Sequence, residues 1–225
     1  MKSKNKEAEF NTEFDPITHI GRVNSVAWPS VTQLLSQFRL VDYSGVPYQR
    51  LEYKRRIGIV FVKAAYALDE GRLDEEAFEK QYPEVIPYLD GYRKFREIEN
   101  FEAQHKEIRL FSKKWRFHGA PDEAGIVAGR LGNQLCIVEY KTTWEMQRSS
   151  TAQAAAYAML MDECMGLKIK RRFGLLLKPT SNYELTEFKD PLDFQDFQAC
   201  VYLHWRLRET YRTEKGVNSN GIIYQ

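Results

Sequence analysis

The spacing of apolar residues changes character near residue 100 of this 225-residue chain. Upstream, Leu51, Ile57, Val60, Phe61, Ala64 and Leu68 recur at helical intervals, which predicts a helix from about 49 to 68 with Gly71 just past its end. Ser30 is placed to N-cap a short helix, and Asp74 a brief one reaching Gln81. A further helix is predicted over about 83–100, kinked or restarted at Pro87. Downstream the period shortens. Residues 108–111, 115–117 and 125–128 read as strands, Gly129-Arg-Leu-Gly132-Asn as a turn, and 135–140 as a buried strand rich in β-branched residues. Ser149 or Ser150 caps an alanine-rich helix to about Met165, closed by Gly166. Strands at 173–177 and 183–188 and a last helix over about 192–210 complete the pattern. This order predicts an α/β fold with a mixed central β-sheet flanked by helices. One domain accounts for 1–225: a solvated tail at 1–15, a mainly helical part at 16–100, an α/β core at 101–212 and a loose end at 213–225.

Charge changes this picture only locally. Lys and Arg number 33 against 31 Asp and Glu, a net charge of +2, which neither demands nor excludes nucleic acid. Three basic clusters stand out: Lys113-Lys114-Trp115-Arg116, Lys168 with Lys170-Arg171-Arg172, and Arg50 with Lys54-Arg55-Arg56. Any one of them reads most simply as a solvated surface; as a set they suit a phosphate track. No apolar run approaches the roughly 18 residues of a membrane helix. The polar stretch 1–9 has no apolar signal core. Cys136, Cys164 and Cys200 are scattered, without metal-site spacing, and fit a reducing cytoplasm.

The chemistry concentrates in Gly119-Ala-Pro-Asp122, Ile137-Val-Glu139-Tyr-Lys141-Thr-Thr143 and Gln153-Ala-Ala-Ala-Tyr157. The first two read as the arms of one hairpin. Glu139 and Lys141, two apart on a strand, share a face. Charges at the end of a buried strand are costly unless paired or metal-bound, so the plain alternative is a Glu139–Lys141 ion pair at a sheet edge. Asp122, beside glycine, supplies a second carboxylate; its plain reading is a turn aspartate. Glu123 points away from Asp122 on a strand and is the weaker acid, while Glu107 is a further acid at the start of the preceding strand. Gln153 and Tyr157 share a helix face. Glu52-Tyr53-Lys54 spells the same tripeptide as Glu139-Tyr140-Lys141, but within a helical pattern, where a solvated face is the sound reading. His118 could approach the site or be an ordinary strand-end histidine.

In this order and spacing, the three motifs resemble the PD-(D/E)xK nuclease superfamily, and within it the branch carrying a QxxxY motif: RecB-like domains, lambda exonuclease and mitochondrial genome maintenance exonucleases. Trp28-Pro-Ser-Val-Thr32-Gln-Leu-Leu is similar to the leading helix of phage-encoded and mitochondrial members. The resemblance implies a restriction-endonuclease-like core and a divalent-metal-dependent DNA nuclease, an exonuclease first, in recombination, repair or phage DNA processing. A structure-specific endonuclease, or a DNA-binding module with a decayed site, is the alternative. It implies Mg²⁺ or Mn²⁺ held by Asp122, Glu139 and the Tyr140 carbonyl. Lys141 would orient the attacking water, Gln153 steady the site and Glu107 act as an auxiliary acid. DNA contact is implied for Tyr157, beside the basic candidates Lys113, Lys114, Arg116, Arg171 and Arg172. DNA is the expected partner, with a homo-oligomer or a recombination protein as further candidates and no membrane. One departure stands out: where many members carry a histidine four residues after a helix glycine, the residue four after Gly58 is Val62.

Overall fold

The computed structural model of the chain describes residues 10–41, 45–128 and 133–214, with side chains of the last segment described to 209. Its centre is a five-stranded sheet built from β4 (Phe101–Lys106), β7 (Glu123–Val127), β8 (Gln134–Lys141), β9 (Arg171–Leu177) and β10 (Tyr183–Glu187), in the order β10-β9-β8-β7-β4. Among the described strands of this sheet only β8 and β9 run parallel. Parallel neighbours need a crossover, and α5 (Ser149–Met165) supplies it. The fold is α/β with a mixed central sheet and flanking helices.

The alternation of β8 decides what lies on each side. Cys136, Val138 and Tyr140 join an apolar cluster with Ile57, Phe61, Leu89, Tyr92 and Phe95, from α2 (Tyr48–Asp69) and α4 (Ile86–Glu99). Ile137 points the other way, into a cluster with Leu34, Leu35, Leu160 and Phe197, from α1 (Val31–Gln37), α5 and α6 (Leu192–Glu214). Phe61, Tyr92 and Phe173 are fully buried, and each such side chain contributes roughly 1.5–3 kcal/mol. Ala154, Ala155 and Ala156 are also inaccessible; their small side chains let α5 lie close on the sheet.

Several helix boundaries follow the sequence reading. Ser30 and Gln33 form a reciprocal capping box at α1. Asp74 accepts from the Ala77 amide at the start of α3 (Glu75–Gln81). Gly166 ends α5 in the left-handed region, at φ 69°. Helix α4 starts at Ile86, with Pro87 in its first turn where no amide is missed, so the predicted start near 83 is too early. Neither Ser149 nor Ser150 caps α5; both lie inside the helix and are buried.

Other expectations need larger correction. The tail predicted over 1–15 contains a strand, β1 (Thr12–Asp15), which with β2 (Ile20–Val23) and β3 (Val26–Trp28) forms a three-stranded meander in the part read as mainly helical. Strands of three or four residues offer too few alternations to register as a period. The turn joining β2 to β3 holds Asn24 and Ser25 at positive φ, 48° and 65°, the sign pattern of a two-residue hairpin turn. Strand β4 was also missed, because it is an edge strand with only Phe101 and Ala103 apolar. Strands β5 (Leu110–Ser112) and β6 (Phe117–Gly119) form a separate two-stranded ribbon. Helix α6 runs on to Glu214, past the predicted stop. The predicted turn at 129–132 and the end after 214 lie outside the described residues.

Candidate active site

Strands β7 and β8 pair antiparallel, with Glu123 opposite Val138. One residue further on, β7 has ended and Asp122 lies beside the Glu139–Tyr140 segment. Its Oδ2 accepts the Tyr140 amide at 2.8 Å, which fixes the carboxylate at the end of β8. In an extended strand one residue's N–H and C=O face the same edge, so the Tyr140 carbonyl faces the Asp122 side as well. The Asp122 carbonyl is held in turn, accepting the Tyr66 hydroxyl at 2.6 Å and the Glu107 amide at 3.1 Å.

Glu139 and Lys141 share the α5 face of the sheet. Glu139 is 3% exposed. Its Oε1 accepts the Lys141 ammonium at 2.9 Å, while its Oε2 is buried with no hydrogen-bond partner. The same ammonium donates to Gln153 Oε1 at 3.0 Å, and Gln153 Nε2 donates to the Tyr157 hydroxyl at 3.1 Å. One continuous chain of contacts therefore links Glu139, Lys141, Gln153 and Tyr157. Burial raises the Asp122 carboxyl well above the usual carboxylate range, the negative charge of Glu139 raises it further, and Lys141 opposes both. Burial likewise raises the Tyr157 phenol, with Glu139 and Asp122 adding to it, so Tyr157 stays a neutral hydroxyl.

Gly119 brings these parts together. A Cβ there would lie 2.8 Å from Tyr157 Cε1 and 2.9 Å from Val31 Cγ2, so only glycine lets β6, α1 and α5 converge. The His118 amide donates to the Pro29 carbonyl, tying the start of α1 to β6. A cleft of about 210 Å³ results, lined by Ser30, Thr32, Glu107, Arg109, Asp122 and Tyr157 among others. Arg109 covers the Phe14 ring at 4.0 Å.

The candidate residues thus divide. Asp122, Glu139, Tyr140, Lys141, Gln153 and Tyr157 converge. Glu107 lines the cleft, but it sits in the turn between β4 and β5 at φ 46°, not at the start of a strand. Lys113, Lys114 and Arg116 are exposed at the tip of the β5–β6 ribbon, where Arg116 covers Trp205 at 4.2 Å. Arg171 and Arg172 do not fit a phosphate track. Arg171 grips Glu187 with two nitrogens, at 2.6 and 2.7 Å. Arg172 is 6% exposed, 2.9 Å from Asp193, and donates to the Asp190 carbonyl. Both are tied up where β9 meets β10 and α6.

Glu123 is fully buried on the opposite face, accepting from the Tyr92 hydroxyl at 3.3 Å with Arg96 3.8 Å away. Burial pushes it up to about 7, against the pull of the Tyr140 hydroxyl. His118 packs between Phe111 and Phe14, and burial, then Arg109, pushes it down to about 4. The ring also lines the cleft beside Gly119 and Asp122. Sequence reasoning missed Tyr66 and Arg109. Gly58, Val62 and Tyr66 recur every four residues on α2, and this spacing could have flagged Tyr66: a Cβ on Gly58 would lie 3.5 Å from Thr142 Oγ1, while Tyr66 reaches Asp122.

The donor set suits a hard divalent cation. A buried carboxylate oxygen without a partner, next to a second carboxylate whose proton affinity is raised, is a place where positive charge is missing. Among the described residues no three His, Cys, Asp or Glu side chains cluster as a metal cage. Among those residues, too, no helix is long and apolar enough to cross a membrane.

No protein-family model matches the chain, and no curated protein matches it. Among solved structures it is similar to an exonuclease candidate from Eubacterium rectale, at 12% identity and a TM-score of 0.44, over 72% of this chain and 68% of that one. It is also similar to LHK-Exo in complex with dAMP, at 11% identity and a TM-score of 0.44, over 84% and 91% of the two chains. The alkaline exonuclease LHK-Exo from Laribacter hongkongensis gives 11% and 0.40, over 83% and 92%.

Proposed function

We propose that this protein is a divalent-metal-dependent DNA nuclease of the PD-(D/E)xK type, acting as an exonuclease in recombination, repair or phage DNA processing. The observation that carries the reading is the shared ammonium of Lys141, held between Glu139 and Gln153 beside the capped carboxylate of Asp122. A plain ion pair at a sheet edge would need neither the glutamine nor the second acid.

Asp122, Glu139 and the Tyr140 carbonyl would hold Mg²⁺ or Mn²⁺, which when bound polarises a phosphate oxygen and lowers the pKa of bound water. Lys141 positions a water for attack and offsets charge that develops on the phosphate. Gln153 keeps the ammonium from collapsing fully onto Glu139. Tyr157, through its contact with Gln153 and its place in the cleft wall, presents a neutral hydroxyl to a phosphate. Arg109, Ser30 and Thr32 give the same cleft one cation and two hydroxyls for the DNA backbone.

Linear and closed circular DNA, incubated with Mg²⁺ or Mn²⁺, test the reading. Metal-dependent loss of the linear form alone is expected. Nicking of the circle would reassign the protein to an endonuclease, and binding without turnover in every divalent metal would make it a DNA-binding module.

A further inference from the structure

The loop after Lys141 is anchored at both ends and exposes its middle. Thr142 is 8% exposed, and Met146 packs into the apolar cluster under α5. Between them Trp144 is 68% exposed. A tryptophan fixed on a short, anchored segment and turned to solvent has surface to offer a ligand.

Two cations stand over that ring: Lys54 Nζ at 5.1 Å from its centroid and the Arg50 guanidinium at 6.0 Å. Lys54 is the lysine of the Glu52-Tyr53-Lys54 tripeptide, and it is not simply solvated. Its ammonium donates to the Thr142 carbonyl at 3.4 Å and the Tyr88 hydroxyl at 3.1 Å, which ties α2 to the loop. A groove of about 380 Å³ runs between Trp144 and the first turns of α2, with Glu145 on its rim. The same helix reaches Asp122 through Tyr66. Lys54 to Tyr66 spans about 18 Å at roughly 1.5 Å per residue, so α2 runs from the Trp144 groove to the backbone of Asp122.

We propose that Trp144 is a stacking platform for an unpaired base, with Arg50 and Lys54 holding the adjoining phosphates, so that the site takes a single nucleic-acid strand along α2. This rests on the nuclease reading and adds the form of its substrate. A flat aromatic face serves any base, and flanking cations supply the sequence-independent attraction to the backbone. A base in a duplex has its faces covered by its neighbours and cannot use the platform.

Fluorescence anisotropy without metal tests this, using a labelled oligothymidylate and an abasic oligomer of equal length and charge. The full-length protein should bind the base-bearing strand about tenfold more tightly. Trp144→Ala should erase that preference and Trp144→Phe should keep most of it. Arg50→Ala should weaken both strands alike and flatten the salt dependence. Equal affinity of the wild type for both oligomers, a preference that survives in Trp144→Ala, or no binding of either would each overturn the platform. The nuclease reading is judged apart from it, by metal-dependent cleavage of linear DNA. Cleavage that Asp122→Ala abolishes and Trp144→Ala leaves unchanged on a single strand would remove the platform alone.

Discussion

Lys141 and Gln153 meet across 3.0 Å, a strand ammonium donating to the side-chain oxygen of a helix residue twelve positions on. The contact gives each residue a distinct expected effect. Lys141→Ala should cut cleavage by at least about 100-fold while metal and DNA binding persist, since the role proposed for it lies in the transition state. Lys141→Arg should fail too, because a planar guanidinium cannot take the place of a compact ammonium between two oxygens. Gln153→Ala should slow cleavage roughly tenfold with the fold intact, as a residue acting through Lys141. Tyr157→Phe, losing one hydrogen bond worth about 1 kcal/mol, should do less harm than any of these. Single-turnover rates and oligonucleotide affinities of the four variants check the order.

Gly119 is the steric keystone of the cleft. A methyl group there would meet Tyr157 and Val31 at under 3.0 Å, and neither can withdraw freely from a packed core. Gly119→Ala should cost about 1–3 kcal/mol of stability and displace Tyr157. Thermal unfolding should show a lower Tm, with activity reduced even well below it; an unchanged Tm would mean the three elements do not press together there.

The candidate residues were legible as three ordered motifs resembling one family, and short periods told only which of them share a face. Glu139 and Lys141 share a face at spacing two, Gln153 and Tyr157 at spacing four, and Gly119 and Asp122 flank a proline turn. Contacts made across long stretches of chain were not. Tyr66 reaches Asp122 over 56 positions, and no local period announces that. Arg172 reads as a surface cation until Asp193, on another element, pairs with it. The large sheet was readable where strands are buried and alternate; β1, β2 and β3 were too short, and β4 too polar, for periodicity to find them.

Glu123 makes stability depend on pH. Its carboxyl is raised from 4.5 to about 7, so its contribution is present below the unfolded value and is lost as pH rises through the folded one. A shift of this size corresponds to on the order of 3 kcal/mol between those limits. Glu123→Gln carries no such loss. Between pH 5 and pH 8 its Tm should fall less than that of the wild type, whereas parallel curves would show that Glu123 titrates normally.

Residue 62 addresses the strength of metal binding. Val62 lies on the α2 face that carries Gly58 and Tyr66, between the contacts to Thr142 and Asp122. With oxygen donors alone the site should fill weakly, needing millimolar-scale metal or DNA phosphates. Val62→His adds a nitrogen donor and should tighten Mn²⁺ more than Mg²⁺. Isothermal titration decides it: identical affinity and stoichiometry in the two proteins would show that position 62 does not face the metal.

Asp122 and Glu139 are proposed to form a working metal-dependent nuclease site. The most direct measurement is the cleavage rate of end-labelled linear DNA by wild type and Asp122→Ala, each with Mg²⁺, with Mn²⁺ and with chelator. Cleavage is expected only with metal, with a loss of at least about 100-fold in Asp122→Ala, which removes a carboxylate proposed to hold the metal. Cleavage that persists in chelator, or that Asp122→Ala leaves undiminished, would contradict it.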